Sequence, residues 1–343
     1  MTMRSICTLI ACALAAIFLG SNAVADECKL MRLASLDFID QGSILVSVSL
    51  EGKNVPMVVD TGSPASAIDP VVAKELAIPE RRMMEGAFYN LSGESFTYLA
   101  MPHDFGLGDM HSNQEALLVW PSPMSGDGHV GGLIAADLLR HYDADMDFGS
   151  HKFNLFSQDH CSGKVVYWTS ENVAVVPVHV NNNGHIIVPV TLDDHSFDAV
   201  LDTGSTLTFL SLKAAQASFG LGSASPDMIK IGDHAGPGGV PLYRHTFKSL
   251  GLEGIAISSP TVGLFDNQAE THETLQHHTG SRFSSLGGEE YELTLGLNEL
   301  RHFHLYIAYK EQKLYITPAT APASVASGGA RPAPSPPPAP ATH

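Results

Sequence analysis

The tetrapeptide Asp-Thr-Gly-Ser occurs twice in this chain, at positions 60–63 and 202–205, each time directly after an apolar pair, Val58-Val59 and Val200-Leu201. Both copies follow an alternating, β-branched run, Ser43 to Leu50 in the first half and Ile186 to Leu192 in the second. A period of two is that of a strand with one buried face. Both copies precede a helix-like segment, around Pro70 to Leu76 and Leu212 to Phe219. A second landmark comes late in each half, where Leu139-Arg140-His141 is repeated as Leu300-Arg301-His302. Behind each triplet the pattern reads as a hairpin with a polar turn, Ala144 to Phe156 and Leu305 to Thr317. The chain is therefore a duplicated unit. From position 60 to 202 the offset is 142 residues and from 139 to 300 it is 161, so the second copy carries 19 more between its landmarks. The polar stretch Asp266 to Glu290 is the expected place for them.

Two such turns make a specific chemistry possible. An Asp ending a buried strand at a tight turn needs a glycine close behind, because only glycine lets another group approach the backbone where a side chain would stand. Gly62 and Gly204 fill that place behind Asp60 and Asp202, the candidate catalytic acids. Thr61 and Thr203 each supply a hydroxyl that can bond across to the partner turn. Ser63 and Ser205 have two readings, as donors to the outer carboxylate oxygens or as ordinary turn serines. Two carboxylates facing one another cannot both ionise cheaply, so one keeps its proton while the other acts as base. The ionised acid would take a proton from water, the water would attack a peptide carbonyl, and the protonated acid would hydrogen-bond the developing oxyanion. Which acid holds the proton is not written in the sequence.

Composition sets the surroundings of this site. With 343 residues and 44% hydrophobic content, the chain can bury a core in each half. Residues 1–25 read as an export signal: Arg4, an apolar run from Ile6 to Gly20, then small residues through Ala25. The expected product is a periplasmic or secreted protein with no stable membrane insertion once the signal is removed. Cys7 and Cys12 would leave with it, and the remaining Cys28 and Cys161 would meet an oxidising compartment, as a disulfide or as two free thiols. The expected divisions are 26–165 for the first repeat, 166–318 for the second, and a Pro/Ala-rich tail over 319–343 too poor in apolar bulk to order itself. A formal net charge of −17 excludes nucleic acid as a partner. His272, His277 and His278 lie close together without a Cys to complete a ligand set, so neither a metal nor another cofactor is expected.

These paired turns, with the Leu-Arg-His segments and terminal hairpins behind them, resemble the retropepsin-like aspartic proteases in fused, two-repeat form, relatives of the pepsin-like enzymes. The resemblance spans about Ser43 to Thr317. It implies an all-β fold with short helices, two lobes about a pseudo-twofold axis, and a β-hairpin flap over bound peptide. The expected activity is that of an exported aspartic endopeptidase, working as a single-chain pseudo-dimer on a peptide or protein substrate. A catalytically silent peptide-binding or regulatory module on the same fold is the alternative. Flaps are expected at Phe88 to Tyr98 and Ile229 to His245, with Tyr89, Gly93, Gly238 and Tyr243 as candidate substrate contacts, although packing is the commoner role for such tyrosines. Three departures stand out. The hydrophobic-hydrophobic-Gly element reads Thr294-Leu295-Gly296 in the second half but Leu133-Ile134-Ala135 in the first, Asp147 faces only Ala308 as its counterpart, and Pro64 directly follows Ser63.

Overall fold

A computed structural model describes residues 29–83, 89–90, 94–124, 130–234, 240–265, 283–284 and 291–319. The expected signal segment, Cys28, Gly93, Gly238, the three histidines of 272–278 and the tail from 320 onward lie outside these residues. Cys161 is disulfide-bonded.

Each lobe starts from a hairpin that the sequence pattern dictates. In Ile44–Leu50 every second residue is fully buried, and the strand pairs antiparallel with Lys53–Val59. The connecting Glu51-Gly52 adopts positive φ at both positions, the geometry whose twist matches that of the flanking strands. In the second lobe Ile186–Leu192 pairs with His195–Leu201, and the turn residues Asp193 and Asp194 take the same left-handed conformation without a glycine. The Asp193 carboxylate helps hold this turn by accepting from the backbone N–H groups of Lys248 and Ser249 at 2.7 and 2.8 Å.

The strand that delivers each Asp then lies parallel to a short strand from much later in its lobe. Met57 to Val59 pair with Gly132–Ile134, and Ala199 to Leu201 pair with Leu293–Leu295. The expected helices are present as Pro70–Glu75 and Leu212–Phe219. Asp69 caps the first through the Val71 N–H, Ser211 caps the second through the Ala214 N–H, and Gly220 at φ 68° ends it. No helix among the described residues is long and apolar enough to cross a membrane. The fold is all-β with short helices and two lobes.

Beneath the lobes the two expected hairpins meet. Asp143–Asp147 pairs with Phe303–Ala308, so strands run in the order Ala174–Pro177, Lys313–Pro318, Phe303–Ala308, Asp143–Asp147, Lys152–Phe156, Arg32–Asp40. The strand before each repeat therefore flanks the hairpin that ends it. Arg32–Asp40 is built into the sheet, its first part against Lys152–Phe156 and its last three residues against Ile44–Leu50. Within the polar stretch 266–290 the described residues Phe283–Ser284 form a two-residue strand paired with Tyr89–Asn90 of the first lobe.

Buried polar groups stitch the lobes across this sheet. The Asp145 carboxylate, fully buried, meets His304 Nε2 at 2.6 Å and accepts from Asn154 Nδ2 and the Tyr167 hydroxyl at 2.7 Å each. Asp143 meets His160 Nε2 at 2.5 Å and accepts from the Tyr309 N–H at 3.1 Å. Asp147 thus has a role its repeat counterpart lacks, since it pairs with His304 in the strand register and lies 3.7 Å from that ring. Removing a shared buried acceptor strands every donor aimed at it. Asp145→Ala is expected to lower unfolding stability by about 3 kcal/mol or more, read as a lower urea midpoint at unchanged m-value.

Candidate active site

Asp60 and Asp202 end their strands at the centre of the molecule, each fully buried. Each backbone is fixed by the neighbouring parallel strand: the Asp60 N–H donates to Ile134 O at 2.9 Å and the Asp202 N–H to Leu295 O at 3.0 Å. Across from them the chain returns symmetrically, with the Ala136 N–H on Ser63 O and the Leu297 N–H on Ser205 O. Both turns are clamped inside their own lobes before they meet.

They meet through the threonines. The Thr61 hydroxyl donates to Leu201 O and the Thr203 hydroxyl to Val59 O, both at 2.7 Å. Each hydroxyl also accepts the other threonine's N–H, both at 3.1 Å. Four buried hydrogen bonds thus cross between the lobes within one residue of the acids.

The glycines bring the carboxyls together. A Cβ on Gly62 would lie 2.2 Å from Asp202 Cγ, and one on Gly204 would lie 2.3 Å from Asp60 Cγ. Each acid therefore rests on the glycine of the opposite turn, while that glycine's N–H holds its own acid: Gly62 N donates to Asp60 Oδ1 at 3.1 Å and Gly204 N to Asp202 Oδ1 at 2.8 Å.

The serines break the symmetry. The Ser63 hydroxyl donates to Asp60 Oδ2 at 2.9 Å, but the Ser205 hydroxyl donates to Leu207 O at 2.7 Å, away from the acid. Ser205 reaches Asp202 only through its N–H, at 3.1 Å to Oδ1. Asp202 Oδ2 is buried with no hydrogen-bond partner. Burial first, then the Asp60 charge, pushes the Asp202 carboxyl well above the usual carboxylate range, against the lowering effect of the Gly204 and Ser205 N–H groups.

A supporting ring escaped sequence reading. Six residues past each Asp, Ser66 Oγ accepts from the Ala135 N–H and Thr208 Oγ1 from the Gly296 N–H, at 2.9 and 3.0 Å. Asp137 takes the Ser66 N–H and hydroxyl, and Asn298 Oδ1 takes the Thr208 N–H. Aligning the two repeats would have paired these positions. Gly296 is obligatory, since a Cβ there would lie 2.1 Å from Leu207 O. Ala135 is accommodated because its methyl packs among Val58, Ala67, Phe96, Leu118 and Leu133.

The flap residues have a thinner structural account. Tyr89 lies on the short strand Tyr89–Asn90, and Gly93 and Gly238 fall outside the described residues. Ile229–His234 and Val240–Thr246 do form the expected antiparallel hairpin. Tyr243 on it is partly buried and packs against the hydrophobic core. Among the described residues no cluster could hold a metal ion.

Gly62→Ala would force the Asp202 carboxyl out of its seat. The expected cost is about 1–3 kcal/mol, the usual price of overpacking, and unfolding of the Gly62→Ala and Gly204→Ala variants checks it.

Comparison with known proteins bears on this geometry. The sequence profile described as aspartyl protease matches residues 46–137 and 188–298, more than half of the chain and both acid-bearing turns. No curated protein matches the sequence. Similar solved structures include the crystal structure of an aspartic proteinase from Irpex lacteus, at 13% identity and TM-score 0.47, with 86% of this chain and 99% of that one covered. Another is Basic 7S globulin from soybean, at 12% identity and TM-score 0.45, with 86% and 96% covered. With its profile match spanning both repeats and one Asp-Thr-Gly turn in each, the chain belongs to the aspartyl protease family.

Proposed function

We propose that the chain is an aspartic endopeptidase in which Asp60 and Asp202 together activate one water molecule. The observation that carries this reading is the reciprocal seating of each acid on the opposite glycine, which puts two buried carboxyls where they can share a proton. Aspartic proteases are the standard instance of such sharing. The asymmetry at the serines supports an order of events. Asp202, whose ionisation burial disfavours, holds the proton; Asp60, with the Ser63 hydroxyl and the Gly62 N–H donating to it, carries the charge. Asp60 takes a proton from water as the oxygen attacks the peptide carbonyl, and Asp202 gives its proton to the forming oxyanion. Collapse of the tetrahedral diol then breaks the C–N bond, with the proton on Asp60 passing to the leaving amine and a diol proton returning to Asp202, which restores the starting protonation state.

The active unit in this reading is one chain, since each lobe contributes one acid. The substrate is a peptide or an unfolded protein segment, and action outside the cytoplasm follows from the expected signal sequence. Neither acid has exposed surface in this structure.

The test is incubation of the mature chain with an unfolded protein mixture from acid to neutral pH, with new termini read by mass spectrometry. Asp60→Asn and Asp202→Asn are each expected to lower cleavage by at least roughly a hundredfold. Cleavage that survives either change sinks the reading, and peptide binding without any cleavage by the wild type would make the chain a binding module.

A stability measurement follows from the same electrostatics. A carboxyl with a raised pKa leaves the fold fully stable below the ordinary value of 3.8, and stability falls as pH rises from there toward the raised value. Asp202→Asn removes that loss. The variant is expected to melt above the wild type at pH 7, by about 2–4 °C for each kcal/mol relieved, with the gap closing near pH 3.

A further inference from the structure

We propose that His185 is a positioning residue for the Asp60 turn, an imidazole that the second lobe places against the first. The proposal rests on the dyad reading above for its catalytic consequence, though not for its geometry.

The loop that carries His185 is tightly tied. Asn181 Oδ1 accepts from the N–H groups of Asn183 and His185, both at 3.0 Å. The backbone closes on itself through Asn181 N to His185 O at 3.1 Å and Gly184 N to Asn181 O at 2.9 Å. Gly184, at φ 83°, faces the first lobe so closely that a Cβ would lie 2.7 Å from the Ala136 methyl. Ala136 is the residue whose N–H holds Ser63 O. The loop therefore docks on the same few atoms that clamp the Asp60 turn.

His185 completes the contact. The residue is 5% exposed, and its ring lies within hydrogen-bonding reach of the Gly62 backbone. Gly62 both donates to Asp60 Oδ1 and supports the Asp202 carboxyl. Nε2 is buried with no partner, which costs stability that a Leu or Phe filling the same space would not. Packing alone thus gives no reason for an imidazole here, whereas holding the Gly62 peptide does. Burial pushes its pKa down to about 4, with the bond to the Gly62 backbone acting the other way, so the ring is neutral above that pH. The titratable groups next to the residues it meets are Asp60, held by the Gly62 N–H, Asp202, which rests on Gly62, and Asp137, which follows Ala136 in the chain.

Duplication does not account for the ring. The equivalent position before the first-lobe strand is Ser43, and the loop there engages the opposite turn differently, with the Thr206 hydroxyl donating to Gly42 O at 3.0 Å. His185 thus adds to the Asp60 turn a side-chain contact beyond the shared pattern.

The experiment compares the mature full chain with His185→Gln, which keeps a neutral donor, and His185→Phe, which keeps only the shape of the ring. His185→Phe is expected to lower kcat by about tenfold with KM nearly unchanged, because a small displacement of the acids harms the transition state more than binding; His185→Gln is expected to recover most of it. Alongside, the ¹³C shifts of the Asp60 and Asp202 carboxyls are followed through pH, where His185→Phe is expected to move the dyad titration by about half a unit or more. That second readout needs no turnover. A wild type that cleaves nothing, with the dyad titration still displaced in His185→Phe, would overturn the hydrolysis reading and support the positioning role. A wild type that cleaves, with kcat and carboxyl titration unchanged in His185→Phe, would overturn the positioning role alone. Should His185→Phe fail to fold, ¹⁵N titration of His185 in the wild type decides: a depressed value near 4 supports the buried contact, and an ordinary histidine value overturns it.

Discussion

The exchange of hydrogen bonds between Thr61 and Thr203 is the constraint on which the rest of the structure turns. Each hydroxyl donates to a strand carbonyl of the other lobe and accepts the other threonine's N–H, so neither turn satisfies its buried polar groups alone. A single bond of this kind contributes about 1 kcal/mol, but leaving its buried partners unmatched costs more. The lobes are therefore locked in register at the one point where sub-ångström placement matters. The spacing of Asp60 and Asp202 follows from it, because each acid sits one residue before a threonine and rests on the glycine one residue after the other.

Buried carboxylates in this protein are treated in two opposite ways. On the inter-lobe sheet Asp143 and Asp145 are surrounded by donors, with His160 and His304 against them. Those donors work against burial, which still leaves the Asp143 carboxyl above the usual range, and they join strands from both halves. At the centre the groups acting on Asp202 are burial, another carboxyl and two backbone N–H groups, with no cation among them. Burial first, and the Asp60 charge second, make one proton of the pair expensive to remove, against the two N–H groups. A matched acid holds a fold together, while a mismatched pair can share one proton between its members.

Duplication produces a near twofold, and the departures from it cluster around the acids. The Ser63 hydroxyl turns toward Asp60 while the Ser205 hydroxyl turns away, Ala135 stands where the other lobe has Gly296, and His185 stands where the other has Ser43. A perfectly symmetric pair would share its proton equally. Unequal hydrogen bonding assigns different roles to two chemically identical side chains.

The sequence by itself determined the repeat, the strand before each Asp, the capped helix behind it and the closing hairpins. Those features are local, set by period-two burial, turn residues and capping chemistry within a few positions of one another. It also determined which residues meet, since two Asp-Thr-Gly turns in like contexts have one economical way to face. Tertiary structure alone decided the rest. The direction of the Ser205 hydroxyl depends on Leu207 O, the tolerance for Ala135 on the cluster around it, and the position of His185 on a loop from the other lobe. The place of Arg32–Asp37 in the sheet depends on Lys152–Phe156, more than a hundred residues away. These contacts join residues remote in the chain, where a hydrogen bond or a close approach is fixed by the meeting of surfaces and leaves no periodic trace in either segment.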